Sequence, residues 1–169
     1  YHLQVQSCLG LVAHGQNVVL VMKDFVPDGL LLKDFQGDLR LSTETSATDS
    51  PLREVAKYLD RLSPDYLIHD LITGHFVTVL RFVSETLREC DEFPETVFYE
   101  ILANAIKAYL AEHGRAPVDP RTDLLREKIQ RVVLNKVRFK IGYEDSAQRP
   151  LPLLGTDLEN PLSRGRENG

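Results

Sequence analysis

Apolar positions change their spacing twice along the 169-residue chain. Leu3, Val5, Leu9, Leu11 and Ala13 fall on alternate positions, broken only at Ser7, with Gln4, Gln6, Cys8 and Gly10 between them. That period of two predicts a strand with one buried face. His14-Gly15-Gln16-Asn17 supplies a turn, and Val18-Val19-Leu20-Val21-Met22 is a continuous run suited to a strand covered on both faces. Together they predict an antiparallel hairpin. Lys23-Asp24-Phe25 recurs ten residues later as Lys33-Asp34-Phe35. Each triplet precedes turn residues, Pro27-Asp28-Gly29 in one case and Gln36-Gly37-Asp38 in the other, so two strand–turn units explain the recurrence. Leu39-Arg40-Leu41 predicts a further short strand, and residues 42–50 a Ser/Thr-rich loop.

Helical spacing takes over at Ser50. Pro51, Pro64, Pro94 and Pro120 each stand where a helix would begin, the position at which a missing N–H is harmless. Ser50, Ser63 and Asp119 are good N-caps directly before three of them. Four helices are predicted, over about 51–62, 64–89, 94–113 and 120–134. The second carries the broadest stripe, including Leu67, Ile68, Leu71, Ile72, Phe76, Val79, Leu80, Val83 and Leu87, and is placed at the centre of the helical layer. Gly114 suits a left-handed cap to the third. Val137, Phe139 and Ile141 then alternate with Lys136, Arg138 and Lys140, which is strand spacing again.

These elements predict an α+β domain over residues 1–143, with an N-terminal antiparallel sheet, about four helices on one side and a C-terminal strand returning to the sheet. Residues 144–169 shift to Pro, Gly, Glu, Arg and Asn and predict an arm ending in a disordered tail. Leu151, Leu153, Leu154 and Leu158, with Leu162 after them, suggest that the arm docks on its own domain.

Composition narrows the function classes. The hydrophobic fraction of 43% is ordinary for a globular chain, and no uninterrupted apolar run approaches the ~20 residues of a membrane helix. No membrane partner is therefore expected. Cys8 and Cys90 form no CxxC or His/Cys cluster, so neither a zinc site nor a disulfide framework is predicted. Unpaired cysteines and the lack of a visible signal peptide point to a cytoplasmic or otherwise intracellular chain. The start at Tyr1 rather than Met suits a fragment or a processed product. Net charge is −5, but residues 120–141 carry +5 and the remainder −10. Arg121, Arg126, Lys128, Arg131, Lys136, Arg138 and Lys140 thus form a candidate surface for an anionic partner.

Motifs for chemistry are sparse. His69-Asp70, with His75 six residues after His69, is similar to the central His-Asp element of the metal-dependent HD phosphohydrolases. The upstream His and downstream Asp of that arrangement have no evident counterpart, and the pair is assigned to the solvent face of an amphipathic helix. Pro27-Asp28 followed by Asp38-Leu39-Arg40 loosely resembles the Pro-Asp…(Asp/Glu)-x-Lys arrangement of metal-dependent nucleases, with Arg40 where the Lys would stand. Arginine cannot readily give up a proton, and Pro-Asp-Gly is a common turn. Asp24, Asp28, Asp34 and Asp38 do not match a calcium loop. There is no nucleophile elbow, phosphate loop or dinucleotide fingerprint.

No catalytic, cofactor-binding or metal-binding residue is assigned from these patterns. By elimination, they predict a non-enzymatic protein-interaction or assembly module belonging to a larger protein or complex. A protein partner is expected; identity and oligomeric state stay open. A nucleic-acid-binding module using residues 121–140 is the alternative, and a metal-dependent hydrolase or nuclease a third.

Overall fold

The computed structural model describes residues 1–33, 35, 37–45, 51–113, 119–133 and 151–166. The chain has the expected α+β class, and its described residues form three small sheets rather than one. Its first element is not a strand. Helix α1 (His2–Ser7) turns Gln4 and Val5 inward and ends at Cys8, whose φ of 53° is left-handed. Six residues are too few for an alternation of Leu3 and Val5 to separate strand from helix.

Strand β1 (Leu9–Leu11) pairs antiparallel with β4 (Leu39–Ser42), placing Gly10 opposite Arg40. Strand β5 (Asp60–Leu62) adds to β4 in parallel. The predicted hairpin of β1 with the Val18 run is thus replaced by a different pairing. Val18–Lys23 (β2) instead folds against Val26–Leu32 (β3), around Asp24 and Phe25. Both turn residues have positive φ, 51° and 63°, as a tight hairpin with the right twist requires. Pro27-Asp28-Gly29 is therefore strand, not turn, and its extra residue makes the bulge opposite Val21 and Met22. The Val18–Met22 run, expected to be covered on both faces, lies instead in a ribbon open to solvent: Val19, Leu20, Met22, Val26, Leu30 and Leu31 are exposed and Phe25 is 98% exposed.

Residues 51–62, expected as a helix, form two 3₁₀ turns, Pro51–Glu54 and Ala56–Tyr58, and then β5. The long helix is present, in four consecutive windings: α2 (Pro64–Leu67), α3 (His69–Leu71), a π-helical stretch Ile72–Leu80, and α4 (Arg81–Asp91). By length and composition alone, Pro64–Cys90 would qualify to cross a membrane. A count of uninterrupted apolar runs overlooks this. Its first half is buried against protein, at Pro64, Leu67, Ile68, His69, Asp70 and Gly74, while Val77, Phe82 and Val83 are exposed. Helix α5 (Glu95–His113) follows as predicted.

The fourth predicted helix does not form. Pro120–Thr122 is a 3₁₀ turn capped by Asp119, and Lys128–Val133 is strand β6, antiparallel to β7 (Leu153–Glu159). Ile129, Val132 and Val133 fit helical spacing, but strand pairing with a segment some 25 residues away overrides it. The predicted strand at 137–141 lies outside the described residues. Of the arm leucines, Leu151, Leu153 and Leu158 are exposed and Leu154 is partly buried, so β7 is held by backbone pairing. Leu162, in the final 3₁₀ turn (Pro161–Arg166), enters the main core beside Ile68, Ala103, Leu124 and Leu125. A second core joins Leu9, Leu41 and Ala56.

Candidate functional site

Two chain segments lie side by side along the long helix. The first runs from Gly10 to Gly15, touching Leu67, Asp70, Gly74 and Val79 in succession. A methyl group added at Gly10 would stand 2.3 Å from Asp70 Oδ2 and 2.7 Å from Leu67 Cδ1. Glycine there leaves a notch in the sheet, which the Asp70 carboxylate fills. Gly10→Ala is therefore expected to cost about 2 kcal/mol, because neither neighbour can retreat from a packed site. Urea denaturation measures this, and a cost near zero would show that the notch is slack.

Beside that notch, Arg40 Nη1 donates to Asp70 Oδ1 at 2.6 Å. Asp70 is only 6% exposed, and its Oδ2 has no hydrogen-bond partner among the described residues. Burial pushes its pKa up to about 6; Arg40 opposes the shift and the nearby Asp38 reinforces it. His69 is likewise buried, with Nδ1 3.1 Å from Thr73 Oγ1. Burial and then Arg126 lower its pKa to about 4, so it is neutral at pH 7. The sequence assigned both residues to solvent; they face inward, because the helix is wrapped on the side that carries them.

The second segment enters β4 from Asp38. Val12 N–H donates to Asp38 O at 3.0 Å and Lys33 N–H to Asn17 O at 3.0 Å, which ties the chain on either side of His14 to Asp38 and to Lys33. Within the turn, the carbonyl of His14 accepts from Asn17 N–H at 2.9 Å and from Val18 N–H at 3.3 Å. Asn17 is buried and its Nδ2 donates to Asp38 Oδ2. His14 Nε2 stands 3.9 Å from the same oxygen, and its Nδ1 accepts from Gln16 N–H at 3.2 Å. His14, Asp38 and Arg40 are all partly exposed, so the cluster combines a fixed backbone with side chains a ligand can reach.

Asp38 closes the turn before β4 and Arg40 lies on that strand, the turn and strand that the sequence predicts there. Asn17 and Gly10 were missed. Their partners, Asp38 and Asp70, lie 21 and 60 residues away, and no local pattern announces them.

Other candidates are placed elsewhere. Asp28 sits on the exposed β3 ribbon, away from Asp38, and Asp34 lies outside the described residues. Among the described residues, no three His, Cys, Asp or Glu side chains gather as metal ligands would. The described cations of the basic segment make contacts within the chain. Arg121 bonds Asp119 and reaches Asp65 and Glu44, Arg126 donates to Arg121 O, Lys128 faces Glu159 at 4.0 Å, and Arg131 donates to Thr156. Lys136, Arg138 and Lys140 lie outside the described residues. A cleft lined by Gln4, Cys8, Ser42, Leu67 and Thr122 holds about 10 Å³, room for one water rather than a substrate.

Comparison with known proteins gives these observations a setting. Aerobactin synthase of Escherichia coli is 46% identical over 164 residues, covering 96% of this chain and 28% of that protein. Aerobactin synthase of Vibrio mimicus is 41% identical over 170 residues, covering 99% of this chain and 29% of its own length. The solved structure of aerobactin synthetase IucC from a hypervirulent pathotype of Klebsiella pneumoniae superposes with a TM-score of 0.76 at 45% identity, over 98% of this chain and 28% of that one. The chain thus spans less than a third of the length of these relatives. The rhizobactin siderophore biosynthesis protein RhbF of Rhizobium meliloti (strain 1021) is 33% identical over 165 residues, covering 96% of this chain and 28% of that protein, and these synthases and biosynthesis proteins overturn the expectation of a non-enzymatic interaction module and, with it, the nucleic-acid-binding and hydrolase alternatives. Elimination by motif has little force, because enzyme sites are commonly assembled from segments distant in sequence. The family described as ferric iron reductase FhuF-like transporter matches residues 1–147, and the chain belongs to that FhuF-like family.

Proposed function

We propose that the chain is one segment of a siderophore synthase and contributes His14, Asn17, Asp38 and Arg40 to its substrate-binding surface. The observation that carries this reading is the locked 14–17 turn, whose side chains converge on Asp38 while His14 and Arg40 stay accessible. Ferric iron is a hard cation that prefers oxygen ligands, so a molecule built to bind it carries acidic and carbonyl oxygens, and so do its precursors. An arginine and a histidine on a rigid frame suit such oxygens. With His14 Nδ1 accepting from the backbone, the neutral ring carries its proton on Nε2, beside Asp38. In that state His14 is a hydrogen-bond donor rather than a base.

The expected protein partner is, on this reading, the remainder of the same polypeptide. The exposed apolar ribbon β2–β3 is a surface for it to cover, since an isolated two-stranded ribbon is at best marginally stable in water. Work on siderophore precursors is in keeping with the intracellular location expected from the cysteines.

In the full-length synthase, His14→Ala and Asp38→Ala are each expected to lower product formation by about 100-fold, the loss typical of removing one preorganised polar contact. Glu85→Gln, on the exposed face of α4 and paired with Arg88, serves as the control that keeps full activity. Unimpaired synthesis by both site variants would reject the assignment.

A further inference from the structure

We infer that His75 is a positioning residue for His14, delivered to its place by the π-helical winding of Ile72–Leu80; this rests on the functional reading of the 14–17 turn. The carbonyl of Ala13 accepts a hydrogen bond from His75 Nδ1 at 2.7 Å. Among the described residues no other hydrogen bond to that carbonyl is found. Because the peptide unit is planar, holding the Ala13 oxygen also sets the N–H and Cα of His14. Gly74 brings the helix close enough for this: a methyl at that position would stand 3.3 Å from Val12 Cγ1 and 3.6 Å from Ala13 N. One turn on, Val79 Cγ2 lies 3.7 Å from where a side chain at Gly15 would start. The π-helical stretch therefore follows the chain from Val12 to Gly15, the segment that presents His14.

The winding explains how two holding groups come from one helix. Asp70 grips Arg40, and His75, five residues on, grips Ala13. In an α-helix a residue five positions on sits about 140° round the axis. Winding with i→i+5 hydrogen bonds turns less per residue and swings the fifth residue back towards the first. Thr78 contributes by donating from Oγ1 to Gly74 O at 2.6 Å, which engages that carbonyl within the widened turn. His75 acts through the Ala13 carbonyl, so it is distinct from a group that touches substrate.

The test is a double-mutant cycle in the full-length synthase. His75→Leu removes the hydrogen bond, whereas His75→Asn places an amide N–H where Nδ1 stands. With His14 intact, His75→Leu is expected to lower kcat/KM by about 10- to 100-fold, as sub-ångström to ångström misplacement does, with most activity restored in His75→Asn. In a His14→Ala background, His75→Leu adds no further loss, because the two act as one unit. Gly74→Ala shifts the same segment and repeats the cycle should His75→Leu not fold. Losses that add independently in the two backgrounds would overturn the positioning role while leaving the His14 assignment standing. Full activity in His14→Ala would remove that assignment and this inference together.

Discussion

Asn160→Ala is expected to destabilise the chain by about 4 kcal/mol, among the largest effects available outside the apolar core. Asn160 is 2% exposed, and both hydrogens and the oxygen of its amide are engaged. Nδ2 donates to Leu124 O and to Arg126 O, both at 2.7 Å, and Oδ1 accepts from Leu162 N–H at 3.0 Å. Alanine leaves three backbone groups without partners at a site largely closed to water, and each such group costs about 1–3 kcal/mol. The effect spreads, because Leu162 enters the core directly beyond this clamp. Urea denaturation gives the loss, and hydrogen exchange at Leu162 N–H reports its location. Asn160→Asp is expected to be no better, since a carboxylate would face two carbonyl oxygens. A loss below about 1 kcal/mol for the alanine variant would mean that water replaces the amide freely.

Stability should also depend on pH through Asp70, with a sign opposite to that of most paired carboxylates. Its folded pKa, about 6, lies above the ordinary 3.8, because burial outweighs the attraction of Arg40 and Asp38 adds repulsion. Between roughly pH 4 and 6 the folded chain holds a proton that the unfolded chain has released, so this contribution is complete below pH 4 and lost as pH rises through 6. Over that window it amounts to about 2–3 kcal/mol. Subtracting the profile of Asp70→Asn from that of the parent isolates it from the other carboxylates. Parallel profiles from pH 4 to 7 would show that Asp70 is not strained in its site. Arg40→Met is expected to cost about 3 kcal/mol at pH 7.5 and to extend the slope upwards, since it strands a buried carboxylate.

Much of the fold was legible where long segments carry one period. The spacing from Leu67 to Leu87 identified the long helix, and Val97 to Leu110 identified α5, because two or more turns leave little ambiguity. Short segments were not legible. α1 and β6 each have six residues, and their final state is set by packing and by the distant partner β7. The π winding was invisible, because apolar spacing scarcely separates it from an α-helix over nine residues. At the site, Asp38 and His14 could be placed in turns and Arg40 on a short strand. The contacts that make these residues a site run from Asn17 to Asp38, from Arg40 to Asp70 and from Ala13 to His75. They span 21 to 62 residues, a range over which a single sequence carries no register.

The notch at Gly10 has an evolutionary consequence. A side chain at position 10 and a carboxylate at position 70 compete for the same space, and Arg40 needs that carboxylate once it is drawn into the sheet. The three positions are therefore expected to vary together. A relative without the acid at 70 would have room for a side chain at 10 and little use for the guanidinium at 40, whereas a change at 10 alone would carry the full steric cost. Covariation among synthases should fall on this triplet, and ancestral reconstruction should show the acid lost before the glycine.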